Sequence, residues 1–549
     1  MFAKLVNAKS IYLAFCALIV LCPLFAVGYV MTMDMAWGPN YPSVTEFSNI
    51  WLLFKFLQVT SLILPGNLIQ LFILVLVVTL AIVGINKLLD VLVKKRHLIA
   101  ALVSVLYIYN PFFYSRFVAG QWLVLLGYAL LPWAVRSIYL FVQNPRWKTA
   151  WPVAAWTAAI GLTSIHTIGI VAVVAVALLI YSGKVNWKPK LKYVGVIAGM
   201  WIAINAVWLV PFVTGQSSVS RNISSFSQSE MQAFATKPTV VDSVPISAAL
   251  LTGFWADDQN RYILPSSLPI WYVGAAIVMA LVIIGIVLVF RRKDRLGITF
   301  FVLAIIAWLL GMGIAWTPSA VLTQAITAVF PYFNGYREPQ KWLMLLALCY
   351  VYFAAIAADR IYQYITETRQ KDWVKYSFLS LLVLTPFLFA PTLAWGALGQ
   401  LKSVDYPQGW YQTKSYLNSK ADVSDRTNVL VFPWHIYLPV EFTGRVVANP
   451  SGYFFDQTMI TSDNFELKGV PAQNPTPATS YISNQVLPNT PTITAVGQKL
   501  KAEYGIEYIM LLKEADWRNY AWLDRQTDLK KVVDNDSIVL YEIIDNTKN

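Results

Sequence analysis

Charge is what this 549-residue sequence has least of: Asp, Glu, Lys and Arg make up 13% of it. Soluble domains carry about a quarter, so an ordinary water-soluble enzyme is excluded. Disorder is excluded too, because a chain that stays unfolded needs low hydrophobicity, and here 57% of residues are hydrophobic with a mean hydropathy of +0.54. Cysteine is scarce. Cys16, Cys22 and Cys349 all lie in apolar runs and offer neither a disulfide framework nor zinc-ligand spacing. Histidine is limited to His97, His166 and His435. No Walker loop, GxGxxG fingerprint, His-Glu-x-x-His pair or serine nucleophile elbow is present. The apolar runs also hold almost no carboxylates near their middles, where ion-coupled transporters place ionisable groups. No internal repeat or low-complexity segment interrupts the chain.

What is present is a succession of long apolar segments. A spanning helix needs roughly 20 predominantly apolar residues, and about eleven such helices fit, near 11–30, 67–89, 98–115, 122–142, 149–165, 167–183, 192–213, 269–290, 296–316, 342–362 and 377–397. The expected fold is therefore an all-α polytopic membrane domain over 1–397, followed by a different domain over 398–549. The net charge of +13 divides in the same way, as +16 before residue 398 and −3 after it. A nucleic-acid binder would gather such charge on a polar domain, whereas here it sits in short turns between apolar runs. With the N-terminus in the cytoplasm, 20 Lys and Arg fall on the inner side, in turns such as Lys94-Lys95-Arg96, Lys184 to Lys192 and Arg291-Arg292-Lys293, against seven outside. That asymmetry is the positive-inside pattern. An odd number of helices then puts the tail outside. The basic start and first apolar run also fit a signal sequence, but no small-x-small cleavage site follows, so the segment is read as a span.

Three outer regions are long enough to build a site: 31–66, 214–268 and 317–341. The first contains Ser48 to Gln58, apolar except for Lys55 and Gln58, which predicts a helix in the membrane interface. In the tail, Asn428-Val429-Leu430-Val431-Phe432, Tyr508-Ile509-Met510-Leu511-Leu512 and Ser537-Ile538-Val539-Leu540-Tyr541 read as buried strands, with a helix near 496–503. Strand, helix and strand predict a small α/β domain.

Cations on the outer side run against the topology bias and need a reason. In Tyr336-Arg337-Glu338-Pro339-Gln340-Lys341-Trp342, Pro339 suits the first position of a helix. Arg337 and Lys341 are four apart and share a face if helical geometry reaches back that far. Both then stand at the positive end of a helix, where a lipid phosphate binds well; snorkelling anchors are the plainer alternative. Arg116, in Asn110-Pro111-Phe112-Phe113-Tyr114-Ser115-Arg116, reads first as an anchor in an aromatic belt. His166 reads first as a satisfied interfacial histidine. Asp34 follows the first span; a carboxylate held among apolar groups can act as a general base, although a lone loop aspartate is ordinarily solvated. Glu46, Asp257 and Asp258 invite the same plain reading. Adjacent Asp257 and Asp258 could offer oxygen ligands to a divalent cation but fall short of a site by themselves; no cofactor is assigned, and a divalent cation stays open.

The order of these segments resembles the GT-C superfamily of membrane glycosyltransferases, within it the cell-wall arabinofuranosyltransferases and related bacterial polytopic membrane proteins. The resemblance is carried by the early carboxylate and interfacial helix of the first outer loop, then Asn110 to Arg116, Leu131-Pro132-Trp133, Gly253-Phe254-Trp255, Arg337 to Lys341, and an outer C-terminal domain. It implies transfer of a sugar, arabinofuranose among the candidates, from a polyprenyl-phosphate donor to an envelope glycan or other acceptor outside the cytoplasmic membrane. The family's catalytic base is typically an acid of the first outer loop, which maps onto Asp34 and implies inversion. Arg337, Lys341, Arg116 and His166 would then bind the donor phosphate, with Glu338, Asp257, Asp258 and Glu46 as secondary candidates. The chain departs from the pattern in having one acid near Asp34 rather than a pair, and in lacking the long carbohydrate-binding extensions of the largest members. Two other classes stay open: a lipid-linked-sugar flippase or transporter, which needs polar groups deep in the spans, and a non-catalytic scaffold for envelope assembly.

Overall fold

A computed structural model describes residues 2–42, 46–93, 97–183, 187–217, 220, 221, 223, 226–420, 427–464 and 476–544, with side chains from residue 9 onward. The inner-turn cations Lys94, Lys95, Arg96 and Lys184 lie outside the described residues, as does the side chain of Lys4. The chain divides into two compact units. The first comprises Met1–Leu24, Glu46–Leu53 and Phe72–Leu401; the second comprises Phe25–Thr45, Phe54–Leu71 and Lys402–Asn549.

The first unit is helical. Among the described residues, eight helices are long and apolar enough to cross a bilayer: Gly66–Leu92, Trp122–Gln143, Ile165–Ser182, Trp187–Val213, Pro269–Arg292, Arg295–Ala315, Pro339–Glu367 and Asp372–Leu398. A ninth arises if His97–Tyr107 and Pro111–Ala119, bent by 45°, form one span. The expected count of about eleven is thus not reached by length. Trp147–Gly161 has 15 residues, about 22 Å of helix against roughly 30 Å of hydrocarbon; it was legible as apolar, but apolarity does not supply length. The first helix, Phe2–Leu21, has 20 residues, with side chains described from Lys9 onward.

The bend before Pro111 shows how local chemistry sets up the site. Proline lacks the N–H that would reach the Tyr107 carbonyl, and the Asn110 side-chain amide takes its place, donating to Tyr107 O at 2.7 Å and Leu106 O at 3.0 Å. Asn110 Oδ1 meanwhile accepts from Phe113 N at 3.0 Å and caps the next helix, Pro111–Ala119. That helix ends at Gly120, whose φ of 80° is left-handed, a conformation glycine adopts without steric cost. Arg116 occupies its last turn.

The stretch expected to start a helix at Pro339 begins instead as a 3-10 turn, Pro339–Trp342, with α-helix from Leu343 to Glu367. The Pro339 ring packs on Gly313, where a Cβ would stand 2.6 Å from Pro339 Cγ. Between Trp51 and Ser61 the expected interfacial helix forms, with Phe54 and Leu57 buried and Leu52, Phe56 and Val59 exposed.

In the second unit the strands, in chain order, are β1 (Tyr29–Val30), β2 (Ser403–Val404), β3 (Asn428–Phe432), β4 (Tyr437–Val440), β5 (Arg445–Ala448), β6 (Thr458–Ile460), β7 (Ile506–Leu512), β8 (Leu529–Asp534) and β9 (Ile538–Ile543). Five form one sheet in the order β6-β3-β7-β9-β8, with β3 parallel to both β6 and β7 and β9 antiparallel to its neighbours. Side chains alternate faces along a strand. Val429, Val431 and Met510 enter one core with Trp410 and Leu417; Leu430, Phe432 and Ile509 enter another with Leu500 and Trp522. Burial on both faces explains why these strands read as unbroken apolar runs.

The second unit also takes in Phe25–Thr45 from early in the chain. β1 pairs antiparallel with β2, Met31 joins the core around Trp410, and Ala448 N donates to Met33 O at 2.9 Å. Further along, Asn40 N donates to Tyr453 O at 2.9 Å, and a Cβ on Gly38 would lie 2.3 Å from that same oxygen. The backbones approach this closely only because residue 38 has no side chain.

Candidate functional site

The helical unit buries a group of charges. Arg116 is fully buried, and its Nη1 lies 3.2 Å from Glu338 Oε2 and 2.8 Å from Gln121 Oε1. Its guanidinium carbon stands 4.0 Å from the centre of the Phe254 ring, a cation–π geometry. The other Glu338 oxygen is 3.3 Å from Lys341 Nζ. Two cations thus converge on one carboxylate.

His166, in the first turn of Ile165–Ser182, completes this group. Its Nε2 is 3.0 Å from Gly335 O and 3.4 Å from Lys341 Nζ. A carbonyl can only accept, so Nε2 carries the proton and donates to Gly335. The approach of Lys341 is then proximity rather than a hydrogen bond. Tyr336 Oη donates to His166 O at 2.5 Å and fixes the helix start.

Burial alone would push the Glu338 pKa up. Lys341, Arg116 and Arg337 outweigh it and hold the carboxyl at about 2. The group is therefore ionised at any physiological pH. Asp257 is displaced in the opposite direction: burial raises it to about 6, against hydrogen bonds from Tyr262 Oη (2.9 Å), Phe254 N (2.9 Å) and Gly253 N (3.1 Å) and the pull of Arg116. These bonds close the Gly253–Asp257 turn that sets Phe254 against Arg116.

Arg337 belongs to the same neighbourhood but has another partner. Helical geometry does not extend back to it, and its Nη1 lies 3.8 Å from Glu230 Oε1 with its guanidinium against the rings of Phe234 and Phe226, 4.5 and 4.8 Å away. Glu230 is buried and accepts from Ser227 N at 2.7 Å in a capping box. Beside Arg337 a void of about 10 Å³ also touches Tyr336, Pro339 and Gly313, room for a single water.

The remaining candidates stand apart. Asp258 is exposed and pairs with Lys237 at 2.9 Å. Glu46 is half-buried ahead of the helix Trp51–Ser61, its carbonyl accepting from Ser48 N at 2.8 Å. Among the described residues no three His, Cys, Asp or Glu side chains assemble as a metal site; Asp257 and Asp258 turn to different partners.

Asp34 lies in the second unit. Thr32 N donates to Met35 O at 3.0 Å and Met35 N to Thr32 O at 3.2 Å, so Met33 and Asp34 form the corner of a two-residue turn. Asp34 is half-buried, and its Oδ1 accepts from Tyr437 Oη at 2.7 Å.

Three partners were not singled out from sequence. Glu230 carried a usable signal, because Ser227-x-x-Glu230 is a capping-box pattern. Gln121 follows Arg116 closely but has no distinguishing context. Tyr437 stands 403 residues from Asp34, and nothing local points to it.

An apolar cavity of about 230 Å³ opens in the helical unit between Trp122–Gln143, Trp147–Gly161, Ile165–Ser182 and Trp187–Val213. Ile168, Val171 and Leu179 line it along one helix, with Phe141, Val153 and Ile197 opposite. Ile168 is two residues beyond His166 on the same helix, which turns it to the opposite face, so the cavity and the charged group lie on different sides of Ile165–Ser182.

Neither a family model nor a curated protein matches the sequence. Among solved structures, the single-particle cryo-EM structure of arabinofuranosyltransferase AftD from Mycobacteria matches with a TM-score of 0.60 at 14% identity, over 98% of this chain and 40% of that one. The apo crystal structure of the Archaeoglobus fulgidus oligosaccharyltransferase matches with a TM-score of 0.47 at 11% identity, over 91% of this chain and 69% of that one. The chain shares the fold of the AftD structure and spans 40% of that chain's length.

Proposed function

We propose that the protein is a multi-pass glycosyltransferase of the cytoplasmic membrane, with its N-terminus inside and its C-terminal domain outside. In this reading it moves a sugar, arabinofuranose first among the candidates, from a polyprenyl phosphate to an envelope glycan or other acceptor. The observation that carries the proposal is the buried group of Arg116, Lys341, Glu338 and His166 in a chain with this fold. Arg116 and Lys341 converge on a single carboxylate, which gathers guanidinium and ammonium donors at one buried place, and a lipid phosphate is an anion that such donors bind. The apolar cavity on the other face of Ile165–Ser182 is of a chemistry that suits an isoprenoid chain.

The chemistry follows from these roles. The acceptor hydroxyl oxygen attacks the anomeric carbon, the bond from that carbon to the phosphate oxygen breaks, and Asp34 takes the hydroxyl proton. Inversion results from the single displacement. Charge developing on the departing polyprenyl phosphate is met by Arg116 and Lys341, with Arg337 adding to the field, and fixed cations in a dry site stabilise such charge strongly. His166 Nε2–H is committed to Gly335, so its role is to shape the group and exclude water. The positive-inside distribution supports the orientation, and the AftD likeness supports the reaction class.

The test is transfer by the purified chain in nanodiscs, using labelled polyprenyl-phosphate arabinofuranose and an arabinan oligosaccharide. Wild type is expected to transfer the sugar with inversion, and Asp34→Asn to be slower by about 10²–10⁴-fold, the usual span for loss of a general base. Undiminished transfer by the Asn variant removes Asp34 from the mechanism. No transfer by wild type with this donor ends the arabinofuranosyl reading.

A further inference from the structure

We propose that Tyr437 is a positioning residue for Asp34, so that the β4–β5 hairpin of the C-terminal sequence sets the geometry of the carboxylate assigned above as general base. The inference rests on that assignment. Asp34 occupies the corner of the Thr32–Met35 turn and is the half-buried residue in a run, 30–38, whose other members are all buried. At such a corner a directional hydrogen bond is what sets the orientation of a short carboxylate about its side-chain bonds.

The hairpin supplies two such contacts from one rung. Tyr437 and Ala448 are directly opposite across β4 and β5. Ala448 N holds the turn's backbone through Met33 O at 2.9 Å, and Tyr437 Oη holds the carboxylate at 2.7 Å. The same loop is secured beyond the turn, where Tyr406 Oη donates to Trp37 O at 2.8 Å. Packing would be enough to place the backbone alone. A phenol aimed at a carboxylate oxygen does something further, because a neutral donor orients the ionised form without cancelling its charge, and the oxygen remains able to take a proton.

The consequence is that the C-terminal sequence, distant in chain order, is required for the rate of the reaction and not only for the fold. Substitution of Tyr437 by Phe removes one oxygen and keeps the ring. In the full-length protein in nanodiscs, with polyprenyl-phosphate arabinofuranose and an arabinan oligosaccharide, Tyr437→Phe is expected to lower kcat by about 10–100-fold, the equivalent of one hydrogen bond to a charged group, with KM for both substrates and Tm unchanged. The 13C resonance of the Asp34 carboxyl is expected to move as the hydrogen bond is lost. Unchanged kcat overturns the proposal, as does a rise in KM that accounts for the loss, which would make Tyr437 a substrate contact. A carboxyl resonance that stays in place also overturns it. The outcomes separate from those of the functional reading: wild type silent with this donor ends that reading and leaves the carboxyl resonance to decide the positioning. Full activity in Asp34→Asn, alongside a slowed Tyr437→Phe, ends both assignments.

Discussion

Two carboxylates of this protein, Glu338 and Asp34, are held in opposite ways. Glu338 is buried between Arg116 and Lys341, 3.2 and 3.3 Å away. Asp34 is half-buried at a turn and receives a neutral hydroxyl at 2.7 Å. In the first setting each charge is the condition for tolerating the others, because removing one partner of a buried pair leaves an uncompensated ion. In the second, the carboxylate keeps access to solvent, so changing it disturbs little else. On the proposed mechanism, function and stability are therefore entangled around Glu338 and separable at Asp34.

The largest expected effect tests that entanglement. Glu338→Gln leaves Arg116 and Lys341 facing each other with no carboxylate between them, and should destabilise the protein by about 3–5 kcal/mol, read as thermal unfolding in detergent. Asp34→Asn should leave the same transition within about 1 kcal/mol of wild type, as substitutions at partly exposed sites usually do. Equal losses from both variants would erase the distinction. A smaller effect sharpens it. Lys341→Met leaves Arg116 and Glu338 as a balanced pair, so stability should fall less than in Glu338→Gln, while affinity for polyprenyl phosphate falls about 10–100-fold, the worth of one charge-assisted contact. Arg337→Met, which acts on Glu230, should weaken binding less. Unaltered binding in Lys341→Met, measured by lipid displacement, would return Lys341 to a purely structural role.

The same contrast marks how far the sequence could be read. The spans were visible because a bilayer demands length and apolarity together, and the tail strands because Val429 to Phe432 and Ile509 to Leu512 are buried on both faces. Apolar composition failed as a guide where it came without the length to span, at Trp147–Gly161. Arg116, Lys341 and His166 stood out as polar groups at helix ends, but their convergence on Glu338 depends on how three helix ends pack. Arg337 and Lys341 looked like one face of one helix. The 3-10 turn after Pro339 breaks that spacing, and Glu230 becomes the partner of Arg337 through tertiary packing. The early carboxylate was legible at Asp34, whereas its hydrogen-bond donor lies in a hairpin far along the chain, where no periodicity or spacing could reveal it.

The smallest effect concerns Asp257, which lies between the two extremes: buried like Glu338, yet hydrogen-bonded by neutral groups like Asp34. Burial raises its pKa to about 6, so the folded state favours the protonated form. The stability this contributes is fully present below the unfolded pKa, near 4, and is lost as pH rises through about 6. Glu338 has the opposite sign: held at about 2, its contribution is present above about 4.3 and disappears as pH falls. Between pH 4 and 6 the Asp257 contribution should therefore tilt the unfolding temperature downward with rising pH, at no more than about 1.4 kcal/mol per unit. Asp257→Asn, which keeps an oxygen for the Gly253 and Phe254 amides, should flatten that tilt while leaving the acid loss below pH 4 in place. A tilt that survives in Asp257→Asn would mean that burial does not govern this carboxyl, and that the turn presenting Phe254 to Arg116 is held by an ionised aspartate throughout.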